Sequence, residues 1–458
     1  MSSLFSSSRQ VFDWLSGFIN LERGQKPKSF RLERMNFLTE LAGHPEKCAP
    51  SIHIAGSKGK GSVTSMLTAM LTAAGFRAAR YMSPHVTDIR ERICLGDSFF
   101  DEDVYCAAGN ELRDIVETRL PAQAAALFDT STADGCEPTF WELLTLLFFL
   151  CARQAKCGVM VVETGMGGRL DSTNVINPLV SVITLIELEH TNFLGDTITA
   201  VAGEKAGIIK QERPLVLAKQ CDEALLVFRK KAQEMNSPLY YFPDIAELSN
   251  INITKRGTEF NLSLKLPDVL KDTALSIPVP GKVQAHNAAL AIAALKIAFP
   301  CLTAAQINED VIRSGLNNLK LPGRFEKISS LEPVIIDGAH TPESIHLCIE
   351  TFCSLYGEDN ILIFGCAADK DAAAMANIAH SLFSKIFITT PGTFKVSDPA
   401  KVYDTFSSVA AEKVLLVKDT REAVKQAQEH AMKNSLSVLG TGSFYLVSEI
   451  RKILLNKK

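Results

Sequence analysis

A strand, a glycine-rich loop and a helix follow one another directly around residue 56, and this succession constrains the fold strongly. The strand-like run "SIHIAG" leads into "GSKGKGS", after which "VTSMLTAMLTAAG" has the pattern of a helix. Glycines let backbone N–H groups approach an anion, the helix N-terminus adds its dipole, and a lysine adds positive charge. The pattern therefore predicts a phosphate-binding loop, whose contacts would come from Gly56, Ser57, Gly59, Lys60, Gly61 and Ser62.

The loop departs from the common form G-x-x-x-x-G-K-[ST]. Gly61 follows Lys60, so the hydroxyl group of Ser62 comes one residue late. Taken alone, the segment is also compatible with a glycine-rich turn that carries a surface lysine. The other polar residues of the chain have to decide between the two interpretations.

Short β-rich runs alternate with helical patterns along most of the chain, which predicts an α/β fold with a parallel sheet covered on both faces. The runs "LYYF", "INITKR" and "EFNLSLKL" are instead separated by turn residues. They predict a small antiparallel β lobe at about residues 239–285. A helix over residues 286–299 would close this N-terminal P-loop ATPase domain. The very apolar run 143–152 is too short to cross a bilayer and predicts a buried helix.

A second series of strands and helices begins after the polar segment "NNLKLPG". It predicts a smaller C-terminal, Rossmann-like doubly wound domain. A chain of 458 residues exceeds what one hydrophobic core usually organises. We therefore expect one domain over residues 1–318 and a second over residues 319–458.

The charge balance excludes a strong basic field. Lys and Arg total 48 and Asp and Glu total 51, a formal charge of −3. Attraction to nucleic acid or to a membrane surface is therefore not expected, and a small molecule is the expected partner. The 11 Cys residues form no C-x-x-C pair. Together with the absence of a visible secretory signal, this predicts reduced thiols in a cytoplasmic protein.

Three chemically distinctive residues follow the phosphate loop. Glu163 ends a buried strand, where open α/β sheets place residues that contact ligands, and His190 and Lys205 come later in "EHTNFLGDT" and "AGEKAGI". Magnesium bound to a nucleotide takes few protein ligands, mostly oxygen. Singly, each residue has an ordinary alternative: Glu163 could cap its loop, His190 could be structural, and Lys205 could be a solvated helix residue.

Taken together, the motifs resemble the Mur-ligase superfamily, and within it the folylpolyglutamate synthase and dihydrofolate synthase family. The resemblance runs through almost the whole chain. It is carried by "GSKGKGS", "SPHVTDIRERI", "PTFWELLT", "ETGMGGRLDSTN", "EHTNFLGDT", "AGEKAGI", "QAHNAA", "LPGRFE", "DGAH" and "GTGSFYLV". It implies a monomeric, ATP-dependent ligase that adds L-glutamate to dihydropteroate, to a reduced folate, or to both, through an acyl phosphate.

The resemblance also implies roles for individual residues. Ser83, Glu163 and His190 would bind magnesium, in two sites, and Lys205 would carry a carbamate that adds oxygen ligands. Asn287 would hold the adenine and Arg324 the γ-phosphate. Asp337 would lie near the ribose, and His340 near the reacting centre.

Three further positions correspond to the pterin site of bifunctional relatives, namely Thr139, Trp141 and Asp171. Trp141 is equally compatible with a core aromatic, and Asp171 with a loop cap. Ser57, Lys58, Val283 and Thr341 depart from the common family pattern, which bears on fine substrate preference. The segment "CAADKD" at residues 366–371 is open between a solvated loop and a substrate-facing one.

Three other functions remain open at this point. A Mur-type peptidoglycan ligase shares the chemistry but acts on a nucleotide-sugar precursor, and "ETGMGGRLDSTN" disfavours it. A P-loop switch would hydrolyse or sense nucleotide without ligation. A degenerate scaffold would have lost the chemistry. The motifs do not decide the acceptor or the number of glutamates added.

Overall fold

The computed structural model describes residues 3–20, 32–121, 137–266, 270–298, 300, 307–329, 333–392 and 396–455. Eight of the described strands form one large sheet in the order β4-β3-β2-β5-β1-β6-β7-β8. Their bounds are β1 Ser51–Ala55, β2 Ala78–Tyr81, β3 Ile93–Leu95, β4 Ser98–Phe99, β5 Val159–Glu163, β6 Val180–Ile183, β7 Leu215–Leu217 and β8 Leu239–Tyr241.

The middle of this sheet positions the phosphate loop. β1 pairs in parallel with β5 on one side and with β6 on the other, and every residue of these three strands is buried. Continuous apolar runs are typical of parallel strands that are covered on both faces. Because parallel strands end at the same edge, the loop after Ala55 begins beside Glu163.

The predicted α/β fold is confirmed, with one difference in strand direction. β3 pairs antiparallel with both β2 and β4, so the large sheet is mixed at one edge. These two short strands follow β2 as a small hairpin around Gly96, whose φ of +60° favours glycine. Alternation of strands and helices does not reveal such an edge hairpin.

A second, three-stranded antiparallel sheet forms the predicted small lobe from β9 Ala246–Thr254, β10 Gly257–Leu264 and β11 Leu270–Ile277. Placing "LYYF" in this lobe was wrong, because β8 pairs in parallel with β7 as the edge of the large sheet. A short aromatic run has a high β propensity but does not indicate its partner strand. The following helix covers Lys282–Ala298, and so begins four residues earlier than predicted.

The third sheet has the order β12-β13-β17-β14-β15-β16. β12 is antiparallel to β13 and the remaining pairs are parallel, as expected for a Rossmann-like domain. The bounds are β12 Glu326–Ser329, β13 Val334–Ile336, β14 Asn360–Phe364, β15 Phe383–Ile388, β16 Val414–Leu416 and β17 Val438–Thr441. The division between residues 318 and 319 stays a prediction, because strand pairing alone does not set it.

Helices cover the faces of the sheets. Those described are Ser8–Leu15, Leu32–Leu41, Lys60–Ala73, Glu102–Asp114, Phe140–Gln154, Thr191–Leu194, Ile198–Ala206, Asp222–Glu234, Phe242–Ile245, Lys282–Ala298, Glu309–Asn317, Pro342–Tyr356, Ala372–Ala379, Pro399–Ala410, Thr420–Asn434 and Phe444–Leu455. Phe140–Gln154 confirms the predicted buried helix, since every residue from 143 to 152 is buried. No helix in the described parts of the chain is long and apolar enough to cross a membrane.

The loop after β2 joins the N-terminal part of the chain to the C-terminal sheet. Arg451 donates a hydrogen bond of 2.9 Å to the hydroxyl group of Thr87, and its Nε lies 3.0 Å from Oε1 of Glu326. Val86 belongs to the apolar cluster around Val447. The loop is therefore in contact with both halves of the molecule.

Candidate active site

A cavity of about 1080 Å³ lies between the large sheet and the C-terminal sheet. It brings together most of the predicted site residues, although they are spread over almost 300 positions of the chain. Those that line it are Ser57, Gly59, Lys60, Gly61, Ser83, Thr139, Trp141, Glu163, Asp171, His190, Arg324, Asp337 and His340. Of the others, Ser62 lines a smaller neighbouring cavity with Ser83, Gly56 begins the phosphate loop, and Lys205 and Asn287 contact that loop at Gly56 and at Gly59.

The phosphate loop has the backbone that its glycines predict. Gly56 has a φ of +145° and Gly59 a φ of +88°, and Lys60 begins the helix Lys60–Ala73. The N–H groups of Ser57 and Lys58 both donate to the carbonyl of Leu185, at 2.8 and 3.2 Å. The loop is thereby anchored just beyond the end of β6.

Asn287, the predicted adenine contact, packs directly on this loop. A Cβ atom at Gly59 would lie 2.7 Å from Oδ1 of Asn287, which is closer than real Cβ contacts allow. Asn287 comes from the helix Lys282–Ala298 below the small lobe. Two nucleotide contacts predicted from segments more than 200 residues apart therefore meet at Gly59.

Glu163 is the acidic centre of the cavity. Its side chain is buried, and within the described residues its Oε2 atom has no hydrogen-bond partner. Burial raises the pKa of Glu163 to about 7, against the effect of the neighbouring Lys60 and Arg324 and of a hydrogen bond from the Ser83 backbone. A buried carboxylate oxygen without a partner among the described residues, in a cavity that Ser83 also lines, is a donor that fits a hard cation such as Mg²⁺.

Lys205 is buried, so its interpretation as a solvated helix residue is wrong. Its ammonium group donates to the carbonyl of Gly56 at 2.8 Å and to Oε1 of Glu189 at 2.7 Å. Burial, followed by the nearby Lys60, lowers the pKa of Lys205 to about 8. Burial alone would raise the pKa of Glu189. The nearby Lys60 and Lys205 outweigh this effect and lower the pKa of that carboxyl group to about 2.

His190, the second predicted magnesium ligand with a His, Cys, Asp or Glu side chain, lines the same cavity as Glu163. His190 is exposed on the cavity wall, just before the helix Thr191–Leu194. No group of three or more His, Cys, Asp or Glu side chains suited to a metal occurs among the residues described. The predicted set contains two such side chains, Glu163 and His190, together with a serine and a modified lysine.

The C-terminal side of the cavity contributes Arg324, Asp337 and His340. The guanidinium group of Arg324 lies 4.0 Å from the centre of the Phe444 ring. Asp337 accepts hydrogen bonds of 2.8 Å from the backbone N–H groups of Phe325 and Ala339. This carboxylate therefore shapes the turn that carries Arg324.

The surroundings of His340 favour a neutral ring, because burial, followed by the field of Lys58, lowers its pKa to about 3. Its Nδ1 lies 2.8 Å from the carbonyl of Gly338, which can only accept, so Nδ1 carries the proton. In the neutral ring Nε2 is then left as an acceptor.

Comparison with known proteins assigns this architecture to a family. Residues 122–295 match the Mur ligase middle domain, and residues 323–444 match the Mur ligase glutamate ligase domain. The dihydrofolate synthase/folylpolyglutamate synthase of Bacillus subtilis is 33% identical over 457 residues, covering 98% of this chain and 100% of that protein. The chain belongs to the folylpolyglutamate and dihydrofolate synthase family.

Solved structures of the family have the same fold. A Mycobacterium tuberculosis folylpolyglutamate synthase complexed with ADP and AMPPCP superimposes with a TM-score of 0.84 at 28% identity, covering 98% of each chain. An FPGS–AMPPCP–folate complex gives a TM-score of 0.82 at 29% identity, covering 98% of this chain and 100% of the other. The predicted resemblance to the family is thus confirmed.

The three residues for which the family resemblance predicts a pterin contact, Thr139, Trp141 and Asp171, all line the cavity, and each also has a contact within the protein. Thr139 caps the helix Phe140–Gln154 in a reciprocal pair with Glu142. Trp141 lines the cavity, with the guanidinium group of Arg92 at 4.9 Å from its ring centre. Their contact with a pterin stays a prediction.

Asp171 is engaged as a loop cap. Its Oδ1 accepts from the N–H and hydroxyl groups of Thr173, at 3.0 and 2.5 Å, and its Oδ2 accepts from the N–H of Met166 at 2.9 Å. Because Thr173 donates its proton to Asp171, it accepts from Nε2 of the buried His53 at 2.9 Å. A role in pterin binding would add to this capping role.

Two features of the family site were not predicted from sequence. Glu189, the partner of Lys205, is adjacent to His190 in "EHT", and this acidic neighbour was the available signal. Arg34 and Glu142 form a buried ion pair of 2.8 Å at the rim of the cavity. Arg34 lies in a segment without a motif, so no local signal pointed to it.

Proposed function

We propose that this protein is an ATP-dependent carbon–nitrogen ligase that adds L-glutamate to dihydropteroate, to a reduced folate, or to both. The observation that carries the proposal is the convergence of Lys60 and Arg324 on Glu163, since both cations act on its carboxyl group. Lys60 follows β1 in the middle of the large sheet, and Arg324 precedes β12 of the C-terminal sheet. Cations on both sides of an acidic centre suit the transfer of a phosphoryl group between two oxygens.

The reaction begins when a carboxylate of the acceptor attacks the γ-phosphorus of ATP. The bond to the β–γ bridging oxygen breaks, ADP leaves, and an acyl phosphate forms. Lys60 and Arg324 balance the charge that develops on the phosphoryl oxygens. The amine of glutamate then attacks the acyl carbon, loses a proton, and expels phosphate to leave an amide. The Thr87 loop, which contacts both halves of the molecule, would hold them together around this intermediate and so limit its exposure to water.

Mg²⁺, in two sites, would be held by Ser83, Glu163 and His190, and when bound it supplies positive charge to the phosphate oxygens. The Oε2 atom of Glu163, which has no hydrogen-bond partner among the described residues, supports this assignment. We assign no step to His190 beyond holding the ion.

We also propose a carbamate on Lys205. An amine reacts with carbon dioxide only when it is neutral, and a buried amine with a pKa of about 8 is neutral far more often near neutral pH than an ordinary lysine is. The modification would replace the ion pair with Glu189 and turn a cation into an oxygen donor. Asn287 would hold the adenine, Asp337 would lie near the ribose, and His340 near the acyl carbon.

The acceptor would lie towards Trp141, where the cavity contains both an aromatic ring and the carboxylate of Asp171. ADP formation with dihydropteroate and with tetrahydrofolate, assayed in parallel, tests the proposal. Each reaction should require both glutamate and Mg²⁺. ADP release that does not need glutamate would favour a nucleotide switch, and a requirement for a nucleotide-sugar acceptor would favour a peptidoglycan ligase. We expect a monomer that acts in the cytoplasm.

A further inference from the structure

A second, smaller cavity lies directly beside the proposed phosphoryl site. Its volume is about 60 Å³, against about 1080 Å³ for the main cavity. Because a cavity needs about 10 to 15 Å³ to hold one water molecule, the small cavity has room for several waters or for one small oxyanion. The two cavities share the residues Gly61, Ser83, Pro84, Arg324 and Phe444. The small cavity therefore begins where the γ-phosphate of ATP is proposed to lie.

Gly61 lies between the two cavities. A Cβ atom at this position would be 3.3 Å from Cε of Met82, which lines the small cavity, and 3.5 Å from Oε2 of Glu163, which lines the main one. Methionine is unbranched and has three rotatable bonds, so the Met82 side chain can move aside more easily than a ring or a branched chain. The wall between the cavities is therefore thin at Gly61 and bordered by a flexible side chain.

Arg80 is the buried cation of the small cavity, and the proposed mechanism gives it no role. It belongs to β2, lines the cavity, and its side chain is only 9% exposed. Among the described residues its Nε atom has no hydrogen-bond partner. Its Nη1 lies 3.3 Å from Oδ1 of Asp97, whose own side chain is 30% exposed and so partly solvated. A buried guanidinium group with an N–H group left over has the capacity to bind an anion.

The other polar residues of the small cavity suit an oxyanion. The helix Lys60–Ala73 contributes Ser62 and Ser65, whose hydroxyl groups can donate hydrogen bonds. Lys320 also lines the cavity and is exposed, so the cavity reaches the protein surface. Glu91 is the only acidic residue among the described ones that line it, and both of its carboxylate oxygens accept from backbone N–H groups at 2.7 to 3.0 Å. Cations thus outnumber carboxylates along the cavity.

We propose that the small cavity is a transient binding site for inorganic phosphate on its way out of the enzyme. The inference rests on the proposed function, in which formation of the amide expels phosphate beside Arg324. ADP and the new amide would still occupy the main cavity at that moment. Phosphate would pass Gly61 and Met82, bind to Arg80, and leave the protein at Lys320.

Binding of phosphate can be measured while the phosphoryl site is occupied. Inorganic phosphate is titrated by calorimetry into protein saturated with Mg²⁺ and the ATP analogue AMPPCP. The wild-type protein should bind one phosphate, and Arg80→Met should weaken this binding by about tenfold or more, because charged hydrogen bonds are lost. Arg80→Lys keeps the charge and should restore part of the affinity. Asp97→Asn removes the ion pair but keeps the guanidinium group, so this matched control should bind phosphate as the wild type does.

The rate of phosphate release is a second measurement. In a single turnover, rapid quenching measures ADP formation and a fluorescent phosphate sensor measures free phosphate. Arg80→Met should slow phosphate release by about tenfold, while ADP formation changes by less than about twofold. Ser65→Leu fills the cavity but leaves Arg80 in place, and it should slow release in the same way.

Two results would overturn the inference. One is wild-type affinity for phosphate in Arg80→Met with a wild-type melting temperature. The other is unchanged phosphate release in Ser65→Leu, which decides the question even where Arg80→Met is unstable. If the wild-type protein forms no ADP in a glutamate-dependent manner, the proposed function fails, whereas the phosphate titration still tests the cavity itself.

Discussion

The ammonium group of Lys205 lies 2.7 Å from the carboxylate of Glu189, and the lysine side chain is only 1% exposed. Burying a charged group is costly unless its remaining protons also find hydrogen-bond partners. Lys205 has such a partner in the carbonyl of Gly56, at the start of the phosphate loop. The pair therefore fixes an amine directly behind the proposed phosphate site.

Replacing Lys205 by alanine should nearly abolish turnover, since the proposed carbamate oxygens would be lost. Added formate or acetate should restore part of the activity, because a small carboxylate can occupy the space left by the side chain. Glutamate-dependent ADP formation measures both effects. Lys296→Ala is a matched control, because Lys296 is also buried and bonds a backbone carbonyl, that of Ile307. Full activity of Lys205→Ala without added carboxylate would rule out the carbamate.

Replacing Glu163 by glutamine should raise the Mg²⁺ concentration needed for half-maximal activity by about tenfold or more, equivalent to about 1.4 kcal/mol. The amide keeps the size of the side chain but lacks the negative charge that a hard cation prefers. A Mg²⁺ titration at saturating ATP measures the change. An unaltered titration curve would remove Glu163 from the metal site.

Comparing Gly59→Ala with Gly75→Ala separates the effect of backbone strain from that of the contact with Asn287. Both glycines have a φ of +88°, so each substitution should lower the free energy of unfolding by about 1 kcal/mol. A Cβ at Gly59 would in addition collide with Asn287, whereas a Cβ at Gly75 would have no neighbour within 4 Å in the part of the chain that the structure describes. Only Gly59→Ala should therefore weaken ATP binding, as measured by calorimetric titration. Equal loss of ATP affinity in both variants would argue against the Asn287 contact.

The buried His53 should make the protein sensitive to acid. Burial lowers its folded-state pKa from 6.5 to about 3, with a smaller contribution from Lys210, so the unfolded chain takes up a proton before the folded one does. Its effect on stability is absent above pH 6.5 and grows as the pH falls from 6.5 towards 3, to at most about 5 kcal/mol. His53→Gln, which cannot titrate, should lose this part of the pH dependence in urea unfolding. The same pH dependence of the free energy of unfolding in both proteins would show that His53 does not cause this acid sensitivity.

Arg451→Ala should loosen the contact between the Thr87 loop and the C-terminal sheet. The arginine joins Thr87 to Glu326, and the glutamate also accepts from the N–H of Gly323 at 2.8 Å, next to Arg324. We expect kcat to fall by about 3- to 10-fold, because a misplaced Arg324 loses part of its charge stabilisation. Replacing Arg421, an exposed arginine, is the control. An unchanged kcat would mean that this contact is not needed for turnover.

The parts of the site that depend on local backbone were predictable from the sequence. The phosphate loop was one, because glycines at positions 56 and 59 between a strand and a helix are typical of a loop that binds phosphate. Glu163 was another, because a residue at the end of a buried parallel strand lies at the edge of the sheet where ligands bind. The edge strand β8 was misplaced, since three residues of high β propensity contain no information on their partner. The pairing of Lys205 with Glu189 depends on how a helix packs, and spacing along the chain does not reveal it.

Asp171 illustrates the same limit at the level of a single side chain. The sequence left a cap and a ligand contact open, and the structure gives its two oxygens three donors from Met166 and Thr173. Whether a residue has acceptor capacity left for a substrate depends on the hydrogen bonds around it. Those bonds exist only after the chain has folded.

Ser83 and Thr87 are four residues apart on one short loop, whose N–H groups at Val86, Thr87 and Asp88 all donate to Glu91. One end of the loop lies at the proposed cation site and the other rests on the C-terminal sheet. By thermodynamic reciprocity, any factor by which domain docking tightens the hold on the ion is also the factor by which the ion favours docking. ATP without its bound cation would then favour docking of the two halves of the enzyme less strongly than MgATP does.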